Sequence, residues 1–231
     1  MTVREYDQSR PGSFKRSASR LSPSELLARD AALLGVTLAR ADAARLLQLL
    51  DELERWNESY NLTAIESREE MITHHLLDSL SISPDLAGTR IADVGTGAGF
   101  PGLPLALANP ARQFSLIDSN GKKVRFVAHA ARTLELRNVT AVHSRAEGLR
   151  PEVPFDTVTA RAVAGLPELL ALLAPLCGPA TRVLAMKGRW PEEEVERLPP
   201  PWRLIGSRTI AVPGLDAQRC VLTLSRGGPH G

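Results

Sequence analysis

Asp93-Val94-Gly95-Thr96-Gly97-Ala98-Gly99 follows a short β-branched run that starts at Arg90, and Phe100-Pro101-Gly102 leads from it into an apolar stretch. A buried strand, a glycine turn and a helix in that order place a ligand at the carboxyl end of the strand, the binding edge of open parallel sheets. The glycines let the backbone approach a flat ligand with no Cβ in the way. Gly97 to Gly102 also spells the Gly-x-Gly-x-x-Gly of dinucleotide enzymes. In those enzymes the loop and the helix N-terminus receive a pyrophosphate, which the Asp93 carboxylate at the strand tip would repel. S-adenosylmethionine has no phosphate and carries an ammonium and a sulfonium, so an acid favours it. The loop is therefore expected to hold this methyl donor, with Asp93, Gly95, Gly97 and Gly99 around it.

A second strand ends at Asp118, about 20 residues beyond the loop, where a carboxylate can accept both ribose hydroxyl protons. Asp118 also suits the N-cap of the helix that follows, and the two roles are compatible. Ser144-Arg145-Ala146-Glu147, after a third strand, is placed to border an adenine. Arg161 ends a fourth strand, Asp156-Thr157-Val158-Thr159-Ala160-Arg161, at the edge where a methyl acceptor would sit. Amino-group methyltransferases carry an Asn/Asp-Pro-Pro-aromatic loop there, and this chain does not; Pro199-Pro200-Pro201-Trp202 comes too late. Carbon-5 enzymes need a cysteine nucleophile in a cleft, whereas Cys177 and Cys220 sit in apolar settings and read as buried small hydrophobes. Ribose 2′-oxygen enzymes use an Asp where this chain has Arg161. What remains is an acceptor already nucleophilic at neutral pH, such as a purine N7, which needs no general base. Catalysis is then mostly alignment.

Arg161 is expected to orient the base or bond the cofactor, and Lys187 and Arg189, after a fifth strand, to meet phosphates or to be solvated surface charges. His75, Asp78 and Ser79 share a helix face by their spacing and could cap the site. His and Asp alone supply too few ligands for a metal. Asn61 could act on substrate or simply end its helix.

The elements that must hold these residues are legible around them. Ser22-Pro23-Ser24-Glu25 is a capping box with proline at the first helical position, opening a helix that ends near Gly35. A second helix covers about 40–58, with Leu46, Leu49, Leu50, Leu53, Trp56 and Tyr60 at three- and four-residue steps. A third opens at Ser67, with Glu70 completing a box, and runs to about Ile82. Strands are expected near 90–94, 113–118, 138–143, 155–160 and 181–186, and helices near 102–109, 120–135, 166–175 and 191–198. Two final β-rich runs, Arg203 to Val212 and Arg219 to Leu224, have no room for a crossover and predict an antiparallel hairpin. The fold class is α/β: a Rossmann-like, mostly parallel seven-stranded sheet behind a helical N-terminal segment. The chain divides into a disordered basic tail (1–21), a helical segment (22–88), a catalytic domain (89–226) and a flexible C-terminus (227–231).

The 231 residues are 43% hydrophobic, enough for one good-sized core. No apolar run reaches the roughly 18–20 residues that span a bilayer, and no secretory h-region is present, so no membrane partner and a cytoplasmic location are expected. Residues 1–20 hold five basic groups against two acids in a chain of net charge +2, leaving the body near neutral. Nucleic-acid binding by the body must therefore come from local patches. The lack of a long exposed apolar stripe favours a monomer.

Trp56-Asn57 to Tyr60-Asn61-Leu62-Thr63, His75-Leu76-Leu77-Asp78-Ser79, Asp93 to Gly102, Asp118-Ser119-Asn120-Gly121-Lys122-Lys123, Ser144 to Glu147, Arg161-Ala162 and Met186-Lys187-Gly188 appear in one series. That series resembles the glucose-inhibited division protein B family, from about residue 22 to 226. The resemblance implies a bacterial S-adenosylmethionine-dependent enzyme, yielding S-adenosylhomocysteine, that methylates one guanine N7 in the 530 loop of 16S ribosomal RNA, free or in the small subunit. It also implies cofactor contacts at Gly95, Phe100, Ala146, Glu147 and Arg161, with Asp118 on the ribose. Methylation of another RNA, a protein or a small molecule is the alternative on the same fold.

Overall fold

The computed structural model describes residues 21–161 and 165–227. Residues 1–20 of the expected basic tail (1–21), Ala162 and residues 228–231 lie outside that range.

Helix α1 (Pro23–Leu33) opens on Ser22, whose side chain accepts from the Glu25 amide while the Glu25 carboxylate accepts from the Ser22 amide at 2.7 Å, so the box forms. Helix α2 (Arg40–Tyr60) buries Leu46, Leu49, Leu50 and Leu53 along one stripe. The single helix expected from Ser67 to Ile82 is instead a rod of three pieces: α3 (Arg68–Met71), a π-helical segment (Ile72–Leu77) and α4 (Asp78–Leu80). Ser67 accepts from the Glu70 amide at 3.4 Å, but its hydroxyl meets Glu69 rather than Glu70. The wider π turn carries His74 and His75, and such turns concentrate at functional sites.

Strand β1 (Arg90–Val94), helix α5 (Gly102–Ala108), strand β2 (Gln113–Asp118), helix α6 (Gly121–Thr133) and strand β3 (Val139–His143) make the first half of the sheet. Strand β4 (Phe155–Arg161), helix α7 (Leu166–Leu173), strand β5 (Cys177–Lys187), helix α8 (Glu192–Glu196), strand β6 (Trp202–Ile210) and strand β7 (Arg219–Arg226) make the second. The strand order is β3-β2-β1-β4-β5-β7-β6, and only β7 runs against its neighbours. The order reverses between β1 and β4, which opens the ligand crevice at their carboxyl ends. Strand β5 starts four residues ahead of the position expected from its β-branched run. Its first residue, Cys177, pairs with Phe155, and the register shifts before Thr157, an irregularity that admits Pro179.

Alternate residues of each central strand feed two apolar clusters. Ile91, Phe114 and Leu116 pack with α1, α2, the rod, α5 and α6; Ala92, Val94 and Val158 pack with α7 and Trp202 on the other face. The N-terminal helices thus share one core with the sheet, which fixes the rod over the carboxyl ends of β4 and β5. Among the described residues no helix is long and apolar enough to cross a membrane.

Candidate active site

Asp93 shapes the glycine loop from within. Its side chain is 1% exposed, and its Oδ2 accepts from the Thr96 hydroxyl at 2.6 Å and the Gly102 amide at 2.9 Å, while Oδ1 accepts from the Thr159 hydroxyl at 3.0 Å. Burial pushes its carboxyl above the usual range, against the pull of those bonds and of Arg161. The expected contact between Asp93 and the ligand's cations is thereby corrected: both oxygens face protein donors, and the residue builds the loop instead of lining the crevice. Gly97, Gly99 and Phe100 are loop builders as well. The Gly97 amide donates to Asp118 Oδ2 at 2.9 Å, and Phe100 is 3% exposed. At Gly99, φ is +87°, and a Cβ there would overlap the Leu103 side chain.

The crevice beside this loop is a cavity of about 290 Å³ lined by Gly95, Asp118, Lys123, Ser144 to Glu147 and Arg161. Five of the expected cofactor residues therefore face it: Gly95, Asp118, Ala146, Glu147 and Arg161. Lys123 went unassigned in the sequence, although it stands in a motif the resemblance uses. Asp118 accepts from the Asn120 amide at 2.8 Å as well as from Gly97, so its carboxylate is fixed at the strand tip while each oxygen keeps a lone pair. Five of the loop amides are spent inside the protein. Gly95 and Thr96 donate to Ile117, Gly99 and Phe100 to Thr96, and Gly97 to Asp118. A pyrophosphate needs such amides pointing outward, so a ribose-bearing ligand without phosphate suits this cradle and a dinucleotide does not.

Arg161 also lines a second cavity, of about 410 Å³, between the rod and the ends of β5 and β7. Its Nη1 donates to the His74 carbonyl at 2.8 Å and to Asp78 Oδ2 at 3.1 Å. Asp78, with a side chain 4% exposed, takes a second guanidinium on Oδ1 from Arg219 at 3.0 Å. Arg219 is the residue sequence reasoning missed; it lies 141 positions from Asp78, and no local signal joins them. Ser79, expected on the capping face, is fully buried and bonds the His75 carbonyl, because the π turn rotates the residues that follow. Lys187 reaches this cavity but is tied to Glu194 at 2.8 Å. Arg189 is exposed outside it. Asn61 lines neither cavity. It caps α2 at φ +50°, the helix-ending role.

His75 is 7% exposed, stacked on Phe100 at 4.5 Å between ring centres, with Nε2 against the Thr63 hydroxyl at 3.0 Å and Nδ1 without a partner among the described residues. Burial first, then the Arg161 charge, pull its pKa from 6.5 to about 4. The unfolded chain therefore binds a proton between these values that the folded chain refuses. Stability should be complete above about pH 6.5 and fall by at most roughly 3 kcal/mol as pH drops to about 4. Denaturant midpoints across that range should flatten in His75→Gln; an unchanged slope would remove the assignment.

A profile of the rRNA small subunit methyltransferase G family matches residues 42–222. The chain is 46% identical over 207 residues to the ribosomal RNA small subunit methyltransferase G of Nitrosococcus oceani, covering 89% of this chain and 97% of the relative. It is 47% identical to the Pseudomonas paraeruginosa protein of the same name, covering 87% and 94%. Among solved structures, a SAM-dependent methyltransferase from Aquifex aeolicus shares the fold with a TM-score of 0.50 at 19% identity, over 71% of this chain and 97% of that one. By these matches, and with the strand order, crevice and helical cover described above, the chain belongs to the rRNA small subunit methyltransferase G family and has the class I S-adenosylmethionine-dependent methyltransferase fold.

Proposed function

We propose that this protein transfers the methyl group of S-adenosylmethionine to N7 of a guanine in 16S ribosomal RNA, at position 527 of the 530 loop, in the cytoplasm and as a monomer. The observation that carries the reading is the place of Arg161, in the wall common to a cavity suited to the cofactor and a second cavity of about 410 Å³. Family membership supports the small-subunit RNA, and the chemistry of the second cavity supports N7.

The bound cofactor supplies an electrophilic methyl on a cationic sulfur. Asp118 accepts the ribose hydroxyls, the Gly95 backbone gives a flat face, and Ala146 and Glu147 border the adenine. The chain's remaining task is to hold the acceptor in line, and a purine N7 releases no proton on methylation, so no base is needed. Two of the side chains in the second cavity are poorly suited to the part. His75 has a pKa of about 4, and Asp78 is held by two guanidinium groups. Neither cysteine lines either cavity, and burial pushes the Cys177 thiol up to about 12, which disfavours a carbon-5 mechanism.

Incubation with 16S RNA or small subunits and methyl-labelled cofactor, followed by digestion to nucleosides, should place the label in 7-methylguanosine. Label in another nucleoside, in protein or in a small molecule would refute the reading. Asp118→Ala should weaken S-adenosylhomocysteine binding by roughly 10- to 100-fold, as measured by calorimetry, because it removes a charged acceptor from two hydroxyls. Unchanged affinity would displace Asp118 from the ribose.

A further inference from the structure

The acceptor cavity shares two wall residues with a third, smaller one. Gly188 and Arg219 line both it and a space of about 150 Å³ between the β5–α8 loop and the β6–β7 hairpin. Three spaces therefore lie side by side, each sharing wall residues with the next: the cofactor cavity, the acceptor cavity across Arg161, and this outer pocket.

The rim of the outer pocket is formed by Arg189 and Trp190, the two residues that follow the Met186-Lys187-Gly188 motif. Trp190 is 46% exposed and has no ring or cation–π partner among the described residues. Arg189 is exposed and has no ion pair or hydrogen bond among the described residues. Beneath them Arg208 is immobilised by the Ser81 carbonyl at 2.8 Å and Asp85 at 2.5 Å. A single exposed apolar side chain is ordinary. An exposed indole beside an unpartnered guanidinium, over a pocket that shares walls with the acceptor cavity, is a nucleotide's complement: any base has a face to stack, and any phosphate takes an arginine.

We propose that this pocket is a nucleotide subsite, where the RNA residue adjacent to the target guanine stacks its base on Trp190 and sets its phosphate against Arg189. It rests on the RNA methylation reading and adds to it the surface that guides the strand. The subsite is sequence-tolerant, since stacking and phosphate pairing read no base edge. Its contribution lies in binding the strand, so it acts on KM for RNA and leaves the chemistry untouched.

Steady-state methylation of 16S RNA or small subunits tests it. Trp190→Ala should raise KM for RNA by about tenfold or more, with kcat and S-adenosylhomocysteine affinity unchanged, and Trp190→Phe should recover most of the loss. Arg189→Ala should raise KM and reduce its dependence on salt. RNA with an abasic residue beside the target guanine, placed on each side in turn, separates stacking from a structural role. On one side the lesion should weaken wild type and leave Trp190→Ala unaffected. A wild-type KM in Trp190→Ala, or equal losses in both proteins from either lesion, overturns the subsite and leaves the methylation reading standing. Absence of RNA methylation by wild type overturns both.

Discussion

Arg161→Ala should lower kcat by two to three orders of magnitude while the protein stays folded. Among the described residues Arg161 is the one that lines both cavities, so on the proposed function removing it takes away the group that aligns donor and acceptor, and small misplacements of reacting atoms cost on the order of 10²-fold. The fold should survive because Asp78 keeps Arg219 and only half of its clamp is lost, a cost of about 1–3 kcal/mol. Arg161→Lys keeps the charge but loses the planar guanidinium whose Nη1 meets both the His74 carbonyl and Asp78, and should restore only part of the rate. Single-turnover transfer from labelled cofactor, alongside a thermal melt, separates the two effects. A near-normal rate in a folded Arg161→Ala protein would move the reaction away from this residue.

Asp93→Ala should act on the fold itself. It would leave the Thr96 hydroxyl and the Gly102 amide unpaired in a dry interior and the Thr159 hydroxyl with only the Ala92 carbonyl at 3.3 Å, at a cost of roughly 3–5 kcal/mol, enough to unfold a marginal domain at 37 °C. Asp93→Asn should recover part of this, since an amide presents one acceptor oxygen where the loop asks for two. Urea midpoints at constant m-value measure it. Cofactor affinity in the surviving folded fraction of Asp93→Asn should change little; a selective loss of affinity at normal stability would restore Asp93 to the ligand.

The contrast between these two residues shows where the sequence was legible. Strand tips were readable because β-branched runs end at Asp93, Asp118 and Arg161, and helix starts because Ser22 and Ser67 announce them. The direction in which Asp93 points was not, because a buried acid among hydroxyl donors and an acid facing a cationic ligand occupy the same position in a motif. The π turn left no mark in Ile72-Thr73-His74-His75-Leu76-Leu77, which reads as ordinary helix, so Ser79 was placed on the wrong face. The Asp78–Arg219 pair depends on the hairpin bringing β7 beside β5, a long-range consequence of sheet order that no local spacing encodes. Pro179 concealed the first residues of β5, since a proline in a strand is admissible only where the ladder is irregular.

In the proposed function the chain places a methyl group on N7 of one guanine in small-subunit RNA. Methylation at N7 puts a positive charge on the purine, so borohydride reduction and aniline treatment cut the strand at that nucleotide. Small-subunit RNA treated with this protein and S-adenosylmethionine should gain a single new cut, at the target guanine of the 530 loop. A cut elsewhere, or labelled RNA that resists cleavage, would contradict it.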